Sequence, residues 1–385
     1  MTGDNGLLNK VGQAKIEVNE GEIKEQIQLL YAEYQMEKNM NTSLEEFVKN
    51  NLQRKYGTEN VTITKMGKNC KIDISSSKRV YILKYDGTIK EINKVDKMSI
   101  TDVYSYLDEN GTLYLRSTEK NNYNQATIKN GKYGFFDFQI DNKESVLKVI
   151  IEEPIAPSDV RKMFKDFTNI SSIENMEYLH TENITNMSEM FLNCSSLTKL
   201  DLSNFDTDMV ENMHSMFEGC TSLISLDLTF LNTSTVTSMV DMFWKCQSLT
   251  SIDASSFNTS NVEDMSYMFN DCSSVVTLDL SSFDVRNVKK MNRMFLNCSS
   301  LKELDLSTFE TSSLTSFTYM LHGTNILEKL DIRKIDLSNA NGGIYSFPGN
   351  HNVNIITNES TATWIEENLN SYYTKRPYNN ITIIK

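Results

Sequence analysis

Glycine and proline are scarce in this chain, 15 and 4 of 385 residues, and no tract of low complexity interrupts it. Long flexible linkers are thereby excluded, since those draw on Gly, Pro and Ser. No run approaches the ~18 apolar residues of a membrane-spanning helix, and no export signal is visible. Basic residues are outnumbered: 38 Lys and Arg against 51 Asp and Glu give a formal charge of −13. A phosphate backbone demands basic clusters, so nucleic acid is not an expected partner. Signatures of catalysis are missing as well. The four histidines, His180, His214, His322 and His351, share no period and no HExxH motif, and no glycine-rich phosphate loop occurs. The regular cysteine spacing of 26 residues is far from that of zinc ligands. No cofactor, no metal site and no catalytic residue is expected.

What is present is repetition. Met190-Phe191 returns as Met216-Phe217, Met242-Phe243, Met268-Phe269 and Met294-Phe295, then as Met320-Leu321, each time after 26 residues. Cys194, Cys220, Cys246, Cys272 and Cys298 keep the same step, as do Asp201, Asp227, Asp253, Asp279, Asp305 and Asp331. A period of this length means one supersecondary unit stacked on itself, because a single unit cannot bury its own apolar face. The chain is therefore expected to build a solenoid. Leu197-x-x-Leu200-x-Leu202 reads as a short strand with its leucines inward and Lys199, Asp201 and Ser203 outward. Val210, Met213, Met216 and Phe217, repeated as Val262, Met265, Met268 and Phe269, are three to four residues apart. That spacing predicts about two turns of helix under each strand. The Met-Phe pairs are expected to fill the core, the flexible thioether serving as filler. The five in-phase cysteines are expected as buried free thiols, because in-register side chains rarely reach disulfide geometry and their number is odd.

On these residues the chain resembles the BspA-like leucine-rich repeats of bacterial surface proteins. The family unit, MSxMFxxCxSLTSLDLSNFDTSNVTD, is matched almost position by position over Asp264-Met265-Ser266-Tyr267-Met268-Phe269-Asn270-Asp271-Cys272-Ser273-Ser274-Val275 and on to Phe283. The coil before these, from Met163-Phe164, is 27 residues long and lacks the Cys and Asp, as expected of a terminal coil.

The flanks read differently. Residues 1 to 57 carry a helical stripe through Leu7, Leu8, Val11, Ile23, Ile27, Leu30 and Tyr34, with a second helix opening on Ser43 and Glu46 and stopping at Gly57. Strands follow at 61–66, 70–75, 79–85 and 88–92. Gly3-Asp4-Asn5-Gly6-Leu7-Leu8-Asn9-Lys10 and Glu25 to Tyr34 resemble type IV prepilin-like proteins just after their hydrophobic helix. That resemblance implies a membrane-anchoring helix ahead of Thr2, with Met1 as an added start. An amphipathic helix on any small α+β domain is the alternative. Strands are expected at 112–116, 125–128, 135–140 and 146–151 as an N-terminal cap. After Asp331 the register is expected to dissolve into a strand, a helix over 360–370 and a closing strand. The fold class is accordingly α+β: a pilin-like helix and antiparallel sheet (1–95), a β-rich N-terminal cap (96–160), the solenoid (161–334) and an α/β C-terminal cap (335–385).

The Asp column is the one arrangement with chemistry to offer. Like charges recurring at the strand spacing of about 4.8 Å must be offset by something. Three readings stand: hydrogen bonds from hydroxyls or amides of adjacent coils, a stripe for calcium, or a recognition surface for a sugar or protein that includes Lys199. The two resemblances together imply an extracellular, non-enzymatic surface or pilus protein that binds a host or matrix protein or glycan, and other pilins through the missing helix. A pure scaffold is the alternative, and a surface glycan hydrolase a third.

Overall fold

The computed structural model describes residues 20–36, 42–93 apart from 67–68, 76, 78 and 85–86, 102–118, 126–128, 142–370 apart from 351, and 380–384. Two compact units form, Met1–Val95 and Asp96–Lys385.

In the first unit, α1 (Glu20–Met36) buries Ile23, Ile27 and Leu30, one stripe at helical spacing, in a common core with Val48, Leu52 and Tyr56 of α2 (Leu44–Tyr56). Ser43 caps α2 by accepting the Glu46 amide at 3.2 Å. Gly57 ends that helix at a φ of 93°. Strands β1 (Val61–Met66), β2 (Asn69–Ile74), β3 (Arg79–Leu83) and β4 (Ile89–Asn93) make an antiparallel sheet in that order. Gly87 is required by its surroundings: its φ is +86°, and a Cβ there would stand 2.3 Å from the Tyr31 ring. The stretch quoted for the pilin resemblance, Gly3 to Lys10, lies outside the described residues.

The second unit opens with β5 (Val103–Leu107), β6 (Thr112–Arg116), β7 (Ala126–Ile128), β8 (Lys148–Ile151) and β9 (Ser172–Glu174), in the order β7-β5-β6-β8-β9. The hairpin of β5 and β6 is tied at its turn by Asp108, whose carboxylate accepts the Thr112 amide at 2.7 Å. Strand β5 was not singled out in the sequence, and the expected strand 135–140 lies outside the described residues. From β6 to β8 the pairing becomes parallel, and from β8 on it runs coil to coil.

Each coil then repeats one backbone pattern, and it is not the expected one. No α-helix lies within residues 160–334. Between Met187 and Cys194 the amides alternate instead. Those of Met187, Glu189, Phe191 and Asn193 donate to the carbonyls of Asn212, His214, Met216 and Glu218 in the next coil at 2.7–3.0 Å. Those of Met190, Leu192 and Cys194 close tight turns onto Met187, Glu189 and Phe191 at 3.1–3.3 Å. The same alternation recurs from Met291 to Cys298. Helix is prevented because Glu189 and Asn193 are left-handed, with φ of 58° and 60°, and an L-residue in that conformation cannot continue a right-handed helix. Two left-handed columns run up the solenoid. One holds Asp166, Asn193, Gly219, Lys245, Asp271, Asn297 and Gly323, mostly residues that tolerate that conformation, and the other Lys162, Glu189, Ser215, Asp241, Tyr267, Arg293 and Tyr319.

Inside these turns the repeated apolar residues stack. Met190, Phe191, Met216, Phe217, Met242, Phe243, Met268, Phe269, Met294 and Phe295 are all at most 1% exposed. The rings of Phe164, Phe191, Phe217, Phe243, Phe269 and Phe295 form one near-parallel pile with centroids 5.5–5.7 Å apart. The strand column includes β10 (Ser251–Asp253), β11 (Thr277–Asp279), β12 (Glu303–Asp305) and β13 (Lys329–Asp331). After Asp331 the expected strand, helix and strand follow, and the 26-residue step is broken, Lys329 pairing with Asn354, yet the parallel backbone ladder runs on. Strand β14 (Asn354–Thr357) pairs in parallel with β13, and β15 (Ile381–Ile383) with β14, with α3 (Glu359–Ile365) between them. The ladder continues there although the Met-Phe and Cys marks that reveal it in the sequence are gone.

A third column, of threonine, escaped the sequence reading. Thr181, Thr207, Thr233 and Thr259 are buried. Each hydroxyl donates to the carbonyl and accepts the amide of one residue in the next coil: Asp206, Asn232, Asn258 and Asp284, at 2.8–3.0 Å. Thr311 does the same for Asp336, while Val285 interrupts the column and has no hydroxyl to offer. The side chain thus supplies a rung between coils at this corner. Thr233→Val is expected to cost about 1–3 kcal/mol by orphaning two backbone groups of Asn258. Val285→Thr is expected to add about 1 kcal/mol. Urea unfolding of both variants checks this, and a Thr233→Val protein as stable as the parent would refute the side-chain rung.

Candidate binding faces of the solenoid

The Asp column stands where the strand ends. Asp201, Asp227, Asp253, Asp279 and Asp305 are exposed, with exposed Lys199 two residues before the first. Each has a hydrogen bond within its own coil. Each carboxylate accepts an amide of its own coil, two residues on: Ser203, Thr229, Ser255, Ser281 and Ser307, at 2.8–3.0 Å. These are Asx turns, which give each carboxylate a partner within its own coil; at the end of the column Arg333 of the next coil also faces Asp305. Thr229 and Ser281 add their hydroxyls to the same oxygens. Asp331 differs: it is buried, and although burial pushes its carboxyl up, the Arg333 guanidinium that grips it holds it below the usual range. Among the described residues no three His, Cys, Asp or Glu side chains converge as metal ligands would.

The cysteines form a buried column of free thiols. Each sulfur donates to a phenylalanine carbonyl of the preceding coil, Cys194 to Phe164, Cys220 to Phe191, Cys246 to Phe217, Cys272 to Phe243 and Cys298 to Phe269, at 3.1–3.2 Å. Burial pushes Cys220 and Cys298 up to about 12 and the other three well above their ordinary value of 9.0. Thiols so placed are poor nucleophiles.

The face built on the turns is chemically divided. Its N-terminal half carries Glu189, Ser215, Glu218 and Asp241, where Lys165 pairs with Glu189 at 2.5 Å and Ser215 donates to Glu218 at 2.7 Å. Burial pushes Asp241 up to about 6, with Glu218 and Asp264 adding to the shift and His214, 3.8 Å away, opposing it. In its C-terminal half the same column becomes Tyr267, Arg293, Tyr319 and Tyr345, flanked by Trp244 and His322. The Arg293 guanidinium lies between the Tyr267 and Tyr319 rings, 5.3 and 5.4 Å from their centroids. Tyr319 stacks on Tyr345 at 5.4 Å, and His322 meets both edge-on. Trp244 lies 5.6 Å from Tyr267, its indole N–H donating to Asp271 at 3.2 Å. The signal for this stripe exists only when the chain is written in rows of 26, since its members share a position and not a residue type.

A family model described as "Mycoplasma protein of unknown function, DUF285" matches residues 158–278 and 250–364. The chain belongs to the DUF285 family. The match spans the coils and runs on through β14 into α3, as the parallel ladder does. A leucine-rich repeat protein from Bacteroides ovatus, known from its crystal structure, is similar at 11% identity with a TM-score of 0.41, over 75% of this chain and 77% of that one. No curated protein matches.

Two expectations follow for the two structural columns. Because the Asx turn needs an oxygen and not a charge, Asp279→Asn is expected to leave stability within about 0.5 kcal/mol, while Asp279→Ala costs about 1 kcal/mol. Equal losses in thermal unfolding would return the role to charge. For the thiols, a folded pKa raised above the unfolded one gives stability that is full below pH 9 and declines towards pH 12. Each such thiol contributes a slope of about 1.4 kcal/mol per pH unit in that window. Denaturant titrations between pH 7 and 11 are expected to show a shallower alkaline decline for Cys246→Ala than for the parent. Parallel declines would contradict this.

Proposed function

We propose that this protein is a non-enzymatic surface module whose solenoid attaches to a host or matrix protein or glycan. The observation that carries the reading is the aromatic and cationic stripe on the turn face, a cluster of Trp, Tyr and Arg of the kind enriched at recognition surfaces. The acidic column, by contrast, is engaged in turns of its own coils, and the thiols join each coil to the one before. The first unit, with a helix over a four-stranded antiparallel sheet, supports a stem role, and its resemblance to type IV prepilin-like proteins suggests pilin partners and an extracellular, membrane-anchored site. On this reading the stem anchors and the solenoid displays.

The test is attachment. Beads coated with the chain are expected to bind preparations of extracellular matrix, and the double change Tyr319→Ala and Tyr345→Ala to reduce that binding about tenfold or more, equivalent to about 1.4 kcal/mol. Asn in place of Asp227, Asp253 and Asp279 is expected to leave it intact. No attachment by the parent protein would sink the adhesive reading and leave a scaffold, and loss through the Asp column would move the site to the strand face.

A further inference from the structure

Arg293 is anomalous twice. Arg116, Arg161, Arg286 and Arg333, in the same unit, each pair with a carboxylate. Arg293 pairs with none among the described residues, in a chain with 51 Asp and Glu. Its backbone is also strained: Tyr267, Arg293 and Tyr319 hold φ of 61°, 56° and 58°, where a bulky L-residue is disfavoured. The parallel left-handed column resolves the same constraint mostly with Asp, Asn and Gly. Strain kept at consecutive bulky positions points towards a function for their side chains.

The geometry limits what that function can be. The guanidinium stands over both tyrosine rings, and its N–H groups form a fork that fits a planar carboxylate. The hydroxyls of Tyr267, Tyr319 and Tyr345 make no hydrogen bond among the described residues, and Tyr319 and Tyr345 are 36% and 42% exposed. Rings stacked along the solenoid present edges and hydroxyls. A row of hydroxyls spaced by one coil, with a single carboxylate fork within it, suits an extended hydroxyl-rich polymer bearing acid groups. Upstream, Glu189, Glu218 and Asp241 would repel such a chain, which confines it to the C-terminal half of the face.

Building on the binding role above, we infer that the stripe of Tyr267, Arg293, Tyr319 and Tyr345 binds a uronate-bearing saccharide, with one sugar carboxylate on Arg293 and neighbouring sugar hydroxyls on the tyrosines. Calorimetric titration of the full chain with hexagalacturonate, its fully methyl-esterified form and a sulfated dextran oligomer tests it. Saturable binding of hexagalacturonate is expected, weakened about tenfold or more by esterification or by Arg293→Gln, less by Arg293→Lys, and severalfold by Tyr345→Phe, which keeps the ring and the stacking. Melting curves show that each variant is folded. The inference is overturned if hexagalacturonate does not bind, if its ester binds as well, if Arg293→Gln changes nothing, or if the sulfated oligomer is preferred. Matrix attachment that survives while hexagalacturonate binding fails removes this inference alone. Loss of both removes the adhesive reading with it.

Discussion

Every coil of this solenoid leaves a row of amides that no partner within the coil can take, and the next coil takes them. That constraint governs the rest. A buried amide without an acceptor costs about 1–3 kcal/mol, so the alternation of inward turns and outward bonds seen from Met187 to Cys194 must be kept in register along the stack. It is met mainly by backbone on the turn face, with the Ser346 hydroxyl standing in for one rung at Tyr319, and by short parallel strands on the strand face. At the corner between them the threonine hydroxyls bridge one coil to the next. The phenylalanine pile and the thiols occupy the space this register encloses. Stability in such an array is a sum of nearest-neighbour terms, and a defect in one rung is felt mainly by the two coils that share it.

This explains which parts of the fold were legible in the sequence. The solenoid was, because Met, Phe, Cys and Asp each solve the same local problem once per coil and so recur at one step. The conformation of the Met-Phe segment was not. Apolar residues three to four apart describe an α-helix, but consecutive turns closing onto the third residue back give the same spacing. Only the left-handed residues between them decide, and those include Glu189, Tyr267 and Arg293, which do not announce that conformation. The column of Asp166, Asn193, Gly219, Asp271, Asn297 and Gly323 did carry the signal, diluted by Lys245. The continuation past Asp331 was hidden for the converse reason. Backbone pairing persists from β13 to β15 after the Met-Phe and Cys marks have ended.

The Asp column carries a local contact that its repetition did not reveal. Charges stacked at strand spacing suggested that relief comes along the stack, whereas an aspartate at the end of a strand is already within reach of the amide two residues ahead. Local geometry gives each at least one partner. Repetition here marks a turn and not a surface, and the same holds for the cysteines, whose sulfurs are spent on carbonyls of the preceding coil.

Repetition and function therefore separate along the molecule. A column that repeats does so because each coil meets an identical demand, and its side chains are consumed in meeting it. A column free to vary is one the stack does not need in any particular form. The left-handed column of Glu189, Ser215, Asp241, Tyr267, Arg293 and Tyr319 changes from acidic to aromatic and cationic along its length, although the backbone demand at all of these positions is the same. Stacking would be served at each by glycine or asparagine. The choice of bulky side chains there, at a cost to every coil that carries one, is accounted for by what those side chains present outside the stack.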